Sequence, residues 1–221
     1  PVLFELQFKD GNKAELPDIT GGDTSEQLTF DDITQVSDED NESEALRVLP
    51  LKTTELSIPP LRIKLNDRLT VAITGIVDRA DMFRSEGGNE YIRIVDYKTG
   101  GDADTPPHVE SLFIPDKKRS NYVFQTFLYA AIMCRKQPTM KIAPALLYIH
   151  RAATETYSPV IQMGEPRKPK EAVEDFSKYE KEYRERLQGL LEEIFNPEKS
   201  FAQTEIIEKC TYCDFKALCK R

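Results

Sequence analysis

The sequence contains no apolar segment long enough to cross a membrane. None of its hydrophobic runs approaches the roughly 20 residues that a transmembrane helix needs. The first residues also lack the basic region and the long apolar region of a secretory signal. We therefore expect an intracellular, cytoplasmic protein. Because the chain begins with Pro1 rather than methionine, we also expect it to be a segment of a longer protein.

Cysteine is scarce and unevenly placed. Only four of the 221 residues are cysteines, and Cys210, Cys213 and Cys219 fall within the last twelve positions. This pattern does not support a disulfide framework, whereas clustered thiols in a reduced compartment are typical of a metal or cluster site. The composition, 39% hydrophobic and 31% charged, is that of a folded globular protein.

Acidic residues are concentrated at one end of the chain. The net charge of −8 does not favour a nucleic-acid partner. However, residues 1–60 contain 14 acidic and four basic side chains, whereas residues 61–221 contain 24 acidic and 26 basic ones. The run 38–44 is typical of a solvated loop. The acidity is therefore a property of one segment, and it does not exclude a polyanionic partner for the rest.

Hydrophobic periodicity predicts an α/β fold with a mixed central sheet flanked by helices. Strands are predicted at 2–8, 61–65, 69–81, 91–98, 145–150 and 157–163, with a hairpin turn at 85–89 and an irregular loop over 99–117. Helices are predicted from the capping residue Ser120 to Pro138, and between 170 and 195. We divide the chain into an N-terminal strand and acidic loop region over 1–57, a core over 58–200 and a cysteine-bearing tail over 201–221.

Two acids and a lysine are expected to meet on neighbouring strands. Side chains alternate along a strand, so Asp96 and Lys98 point to the same side. The hairpin brings Asp78 near Asp96. Two adjacent carboxylates repel each other unless a hard divalent cation lies between them, and oxygen ligands suit Mg²⁺ or Mn²⁺. A lysine beside that cation can orient water and neutralise a phosphate, which indicates metal-assisted phosphodiester hydrolysis.

The predicted helix after Ser120 adds two polar side chains. Gln125 and Tyr129 lie four residues apart, hence on one helical face, which we place apart from the apolar stripe. They are suited to hydrogen-bond Lys98 or a nucleic-acid backbone. Arg79 and Asp81 are interpreted as a structural pair that fixes the end of a strand.

The ordered set of motifs resembles the PD-(D/E)XK nuclease superfamily and, within it, the RecB-like nuclease domains of AddB-type helicase–nucleases. The segments that carry the resemblance are GIVDRAD (75–81), IVDYKTG (94–100) and QTFLY (125–129). The resemblance implies a restriction-endonuclease-like core in which Asp78, Asp96 and the Tyr97 carbonyl bind the metal. It also implies that Lys98 is the catalytic lysine and that Gln125 and Tyr129 form the helical motif.

The cysteine tail is similar to the C-terminal triplet of the iron–sulfur members of that group. This likeness implies a 4Fe–4S cluster held by Cys210, Cys213 and Cys219, with a fourth cysteine far upstream. No cysteine precedes Cys134, which reads as a buried structural thiol, so we expect the cluster site to be incomplete in this segment. A zinc site completed by His108 or His150 is the alternative.

Two functions of different classes follow from these patterns. The first is a DNA exonuclease domain that uses Mg²⁺ within a helicase–nuclease engaged in DNA repair. The basic groups at 117–119 and 167–170 are candidate phosphate contacts. The second is a non-catalytic DNA-binding or scaffolding domain stapled by a metal or cluster. Retention of Asp78, Asp96 and Lys98 together favours the nuclease.

Overall fold

The structure is a computed structural model that describes residues 2–8, 56–84, 90–101, 105–154 and 156–221. Across these ranges the chain forms eight strands and two α-helices. In chain order they are β1 (Val2–Phe8), β2 (Leu56–Lys64), β3 (Leu69–Val77), β4 (Arg79–Arg84), β5 (Glu90–Lys98), α1 (Asn121–Lys136), β6 (Lys141–Tyr148), β7 (Gln162–Met163), β8 (Glu171–Ala172) and α2 (Ser177–Ile194). The predicted α/β class is confirmed. The predicted turn at 85–89 and the acidic run at 38–44 lie outside the described residues.

The strands form two three-stranded sheets that share one continuous stretch of chain. In the first sheet β3 lies between β1 and β2 and is antiparallel to both. In the second, β5 is antiparallel to β4 and parallel to β6, which makes this sheet mixed. The chain passes from one sheet to the other at Asp78, between β3 and β4. The single strand predicted over 69–81 is therefore wrong at this residue.

The outer edge of β6 is closed by a loop rather than by the predicted strand at 157–163. Ala145 forms an isolated antiparallel bridge with Val160. The Tyr157 hydroxyl donates to the carbonyl of Leu146 and accepts from the N–H of Tyr148, both at 2.8 Å. A single side chain thus satisfies backbone groups that a neighbouring strand would otherwise have to satisfy. Residues 162–163 pair instead with β8.

Helix α1 connects the parallel strands β5 and β6 and lies at the centre of the core. The predicted cap is confirmed, because the Ser120 hydroxyl accepts from the N–H of Val123 at 3.3 Å. The helix is buried on more than one face after its first turn. Its buried residues are Val123, Thr126, Phe127, Leu128, Tyr129, Ala130, Ala131, Ile132 and Met133.

Helix α2 covers α1 and begins later than the periodicity predicts. The buried residues Val173 and Phe176 precede it, because residues 171–172 form β8 and the helix starts at Ser177. The Tyr183 hydroxyl donates to the carbonyl of Phe124 in α1 at 2.8 Å, which fixes one helix on the other. Neither helix, nor any other described segment, is long and apolar enough to span a bilayer.

Candidate functional site

Asp78 and Asp96 come together where the chain changes sheets. The β4–β5 pairing aligns Arg79 with Val95, so Asp78 lies next to this ladder, opposite Asp96. The N–H of Tyr97 donates to Oδ2 of Asp78 at 2.7 Å. Asp78 is exposed, whereas Asp96 is only 4% exposed. The two acids therefore form a pair with one member open to solvent and the other enclosed by protein.

The carboxylate of Asp96 is electrostatically uncomfortable in the protein alone. Burial raises its pKa above the ordinary value, and the charge of Asp78 raises it further, while the ammonium of Lys98 opposes both effects. Oδ2 of Asp96 is buried and receives no well-directed hydrogen bond; the group it touches is Nζ of Lys98. A further positive charge at this position would favour the ionised carboxylate.

Lys98 is held by side chains of α1 as well as by Asp96. Its Nζ donates to Oε1 of Gln125 at 3.3 Å and lies 4.5 Å from the centre of the Tyr122 ring. The ring face attracts an ammonium group because its π electrons carry partial negative charge. The sequence patterns did not single out Tyr122. Its position three residues before Gln125, on the same helical face, is the signal that could have identified it.

Gln125 and Tyr129 continue the chain of contacts into the core. Nε2 of Gln125 donates to the Tyr129 hydroxyl at 2.7 Å. Tyr129 is fully buried and belongs to the hydrophobic core. The expectation that this pair lies apart from the apolar stripe is therefore wrong for Tyr129. Burial raises the pKa of Tyr129, and the charges of Asp96 and Asp78 act in the same direction, so its hydroxyl keeps its proton.

Arg79 and Asp81 lie beside the site as the predicted pair. Nε of Arg79 binds Oδ1 of Asp81 at 2.6 Å, and Asp81 is 3% exposed. The bond to Asp81 raises the pKa of Arg79. Because each charge has its partner within the pair, this contact stabilises the beginning of β4.

The structure does not gather the tail cysteines into a metal site. Among the described residues, no group of three or more His, Cys, Asp or Glu side chains is arranged to hold an ion. This applies to Cys210, Cys213 and Cys219, and to completion of a zinc site by His108 or His150. His108 instead lies 3.7 Å from Glu110.

Cys134 lies in α1 and packs against the hydrophobic core. Burial raises its pKa to about 12, so it remains a neutral thiol at physiological pH. This placement agrees with its interpretation as a structural cysteine.

The two basic groups are partly occupied by contacts within the protein. Nζ of Lys117 binds Glu208 of the tail at 3.0 Å. Nζ of Lys170 donates to the carbonyls of Gly164 and Glu165, both at 2.7 Å. Lys118, by contrast, is exposed. The ammonium groups of Lys117 and Lys170 therefore hold surface segments together in this structure.

A cavity of about 510 Å³ opens next to the carboxyl end of β6. Its lining includes Leu146 and Tyr148, the register partners of Asp96 and Lys98 in β5. The other lining side chains are mainly hydroxyls, an amide and a guanidinium, and no described lining residue is acidic; the polar ones are Thr105, Arg151, Thr154, Thr156, Tyr157, Ser158 and Gln162. The cavity therefore offers hydrogen-bond donors one strand away from the two acids.

Comparison with known proteins agrees with this geometry. The family model described as the PD-(D/E)XK nuclease superfamily matches residues 13–220. An ATP-dependent helicase/deoxyribonuclease component of Clostridium acetobutylicum is 52% identical over 44 residues, 20% of this chain and 4% of that protein. A protein of the same name from Clostridioides difficile is 48% identical over 42 residues, 19% of this chain and 4% of that protein. The matches thus cover about 4% of each relative's length. No solved structure gives a significant match.

Proposed function

Because this chain belongs to the PD-(D/E)XK nuclease superfamily, we propose that it is a metal-dependent nuclease domain that hydrolyses the phosphodiester bonds of DNA. The observation that carries the proposal is the meeting of Asp78, Asp96 and Lys98 beside the carboxyl end of β5. In open α/β sheets, this end of the strands is where ligands bind.

Asp78 and Asp96 would hold a divalent cation, with the carbonyl of Tyr97 as a further oxygen ligand. The donor set fits this group, since carboxylate and carbonyl oxygens are the ligands that Mg²⁺ and Mn²⁺ prefer. The raised pKa of Asp96 supports the same conclusion, because a nearby cation compensates a buried carboxylate. When bound, such a cation acidifies water and stabilises negative charge on a phosphoryl group.

The residues of the chain would supply orientation and a second positive charge. Lys98 can place its ammonium group against a phosphate oxygen or an attacking water, because Gln125 and Tyr122 hold it next to Asp96. Preorganised charge of this kind contributes to the rate because it does not have to reorient during the reaction. The exposed Asp78 and the buried Asp96 would receive the substrate at the boundary between solvent and core.

The cavity beside β6 and the exposed Lys118 would contact the DNA strand next to the cleaved bond. Hydroxyl and guanidinium groups bind phosphate and sugar without regard to base sequence, as a nuclease of broad specificity requires. We further propose exonuclease action on DNA ends within a helicase–nuclease of the bacterial cytoplasm. The names of the two partially matching relatives support a helicase partner. The tail cysteines would belong to a cluster only if longer flanking sequence brings them together.

The test compares DNA degradation by this chain and by a chain extended upstream, with Mg²⁺ or Mn²⁺. The substrates are linear and circular DNA, single-stranded and duplex. We expect linear DNA to be degraded, and Asp96→Ala and Lys98→Ala each to lower the rate by more than about 100-fold. Asp67→Ala is the matched control, because Asp67 is an exposed acid in the turn between β2 and β3.

Two results would contradict the proposal. One is equal degradation by the parent and by Asp96→Ala, which would assign the activity to a contaminant. The other is DNA binding without hydrolysis, even by the extended chain, which would favour a scaffolding domain. Cleavage of circular as well as linear DNA would contradict only the exonuclease assignment.

A further inference from the structure

Gly75 occupies the central strand of the first sheet, three residues before Asp78. The register of β3 pairs it with Val2 on one side and with Ile58 on the other. A Cβ atom built at this position would lie 2.6 Å from Cε1 of Tyr129, and the next nearest atoms, Cζ at 3.3 Å and Oη at 3.4 Å, belong to the same side chain. The missing side chain of Gly75 is thus filled by the ring of Tyr129.

This contact leaves no room for adjustment. Carbon atoms do not approach within 2.6 Å, so a side chain at position 75 must displace the ring or the strand. Tyr129 is fully buried in the core and cannot move outward into solvent. Close-packed interiors transmit such displacements to neighbouring groups rather than absorbing them.

The hydrogen bonds of Tyr129 lead directly to Lys98. An ammonium group only donates, so Gln125 turns its oxygen towards Lys98 and its amide nitrogen towards Tyr129. The Tyr129 oxygen accepts that bond and fixes the amide in this orientation. The position of the Tyr129 ring therefore determines where the oxygen that holds Lys98 can lie.

We propose that Gly75 is a positioning residue of the site: its lack of a side chain sets the depth of Tyr129 and, through Gln125, the place of the Lys98 ammonium. The inference rests on the proposed nuclease function as far as catalysis is concerned. Its structural part, the coupling of position 75 to Lys98, does not depend on activity. The first sheet, which carries neither Asp96 nor Lys98, would in this way help to define the site on the second.

The variant that tests the proposal is Gly75→Ala, with Gly189→Ala as the matched control. A Cβ at Gly189 in α2 would meet no atom within 4 Å. We expect Gly75→Ala to lower kcat by about 10- to 100-fold with little change in KM, since misplacement of about 1 Å costs up to 100-fold. Gly189→Ala should leave both constants unchanged.

A readout independent of activity follows from the Tyr122 ring. The ammonium of Lys98 lies 4.5 Å from the ring centre, so the ring current should shift the NMR signals of the neighbouring ε-methylene. This signal is assigned by its loss in Lys98→Gln. In Gly75→Ala it should move towards the value of an exposed lysine, and in Gly189→Ala it should not move.

A double-mutant cycle with Tyr129→Leu separates positioning from general damage to the strand. Leucine lacks the ring atoms that a Cβ at position 75 would meet. In that background Gly75→Ala should cause no further loss of kcat or melting temperature, even if Gly75→Ala alone is too unstable to study. An undiminished loss in that background would overturn the proposal.

A folded Gly75→Ala variant with parental kcat and an unmoved Lys98 signal would also overturn it. If the parent protein has no nuclease activity, the proposed function fails. The NMR shift and the stability cycle then still decide whether position 75 is coupled to Lys98.

Discussion

Asp96 carries its charge in a place that water scarcely reaches. At 4% exposure its carboxylate loses most of its hydration, and the contact with Lys98 does not fully compensate, since the pKa remains raised. A side chain under this constraint lowers the stability of the fold. Such residues are found where function requires them, because active sites commonly sacrifice stability for preorganised charge.

We predict that Asp96→Asn stabilises the metal-free protein at pH 7 while it removes nuclease activity. Because the folded-state pKa of Asp96 is raised, the folded protein holds this proton more tightly than the unfolded chain. The resulting stabilisation is complete below the unfolded value of 3.8 and is lost as the pH rises through the folded pKa. At pH 7 a neutral amide therefore avoids a cost that the carboxylate bears. Activity should fall by more than about 100-fold.

Thermal unfolding in the presence of a chelator measures this effect. The melting temperature of Asp96→Asn should exceed that of the parent at pH 7, and the difference should shrink as the pH is lowered towards 3.8. Asp67→Asn is the control, since the Asp67 side chain is 89% exposed and should show no such gain. A variant less stable than its parent at pH 7 would mean that the contact with Lys98 outweighs the burial of the charge.

The sequence predicts the acid and lysine arrangement because it depends on local rules. Alternation along β5 puts Asp96 and Lys98 on one side, and the antiparallel pairing of β4 with β5 brings Asp78 opposite Asp96. Tyr122 and Gly75 escaped prediction because their contacts depend on how α1 is rotated and how deeply it sits. Their roles, and those of the predicted site residues, remain proposals for experiment.

At the scale of elements, position 78 illustrates where sequence patterns stop. Apolar and β-branched residues continue on both sides of it, so the pattern reads as one strand. The change of sheet is a tertiary event that depends on which strands β3 and β4 meet. The start of α2 is similar, since Val173 and Phe176 fit the helical stripe and are buried, yet they precede the helix. Apolar spacing reported burial correctly and the local conformation incorrectly.

Helix α1 gives a prediction at this scale through its amino-terminal cap. Ser120 is 3% exposed and accepts from the N–H of Val123, so Ser120→Ala leaves that donor buried without its partner. We expect a loss of about 1–2 kcal/mol in the free energy of unfolding, measured with urea. The first turn of α1 carries Tyr122 and Gln125, so kcat should also decrease.

Ser158→Ala is the matched control for the cap. Ser158 also accepts from a backbone N–H, that of Val160 at 3.3 Å, but it is exposed and water can replace it. Its loss should change the free energy of unfolding by less than about 0.5 kcal/mol. Equal effects of the two substitutions would show that burial of the Ser120 cap has no special weight.

At the scale of the whole molecule, acidic charge and the proposed chemistry are separated along the chain. The excess of acids lies in residues 1–60, whereas the remaining 161 residues, which include Asp78, Asp96 and Lys98, are nearly balanced. A net charge of −8 therefore says little about the surface that a DNA strand would approach. The family match over 13–220 includes most of the acidic region, so the division at residues 57 and 200 remains a prediction.

The tail after residue 200 yields the last prediction, because in this structure it buries little apolar surface. Phe201, Tyr212, Phe215 and Leu218 are between 68% and 95% exposed. The ion pair between Glu208 and Lys117 joins the tail to the core, and both side chains are more than half exposed. A chain ending at residue 200 should therefore keep its fold, with a melting temperature lowered by less than about 4 °C. Thermal unfolding measures this, with Glu208→Gln as the control for the ion pair. A much larger decrease would mean that the cysteine tail, through a bound metal or cluster, stabilises the core in solution.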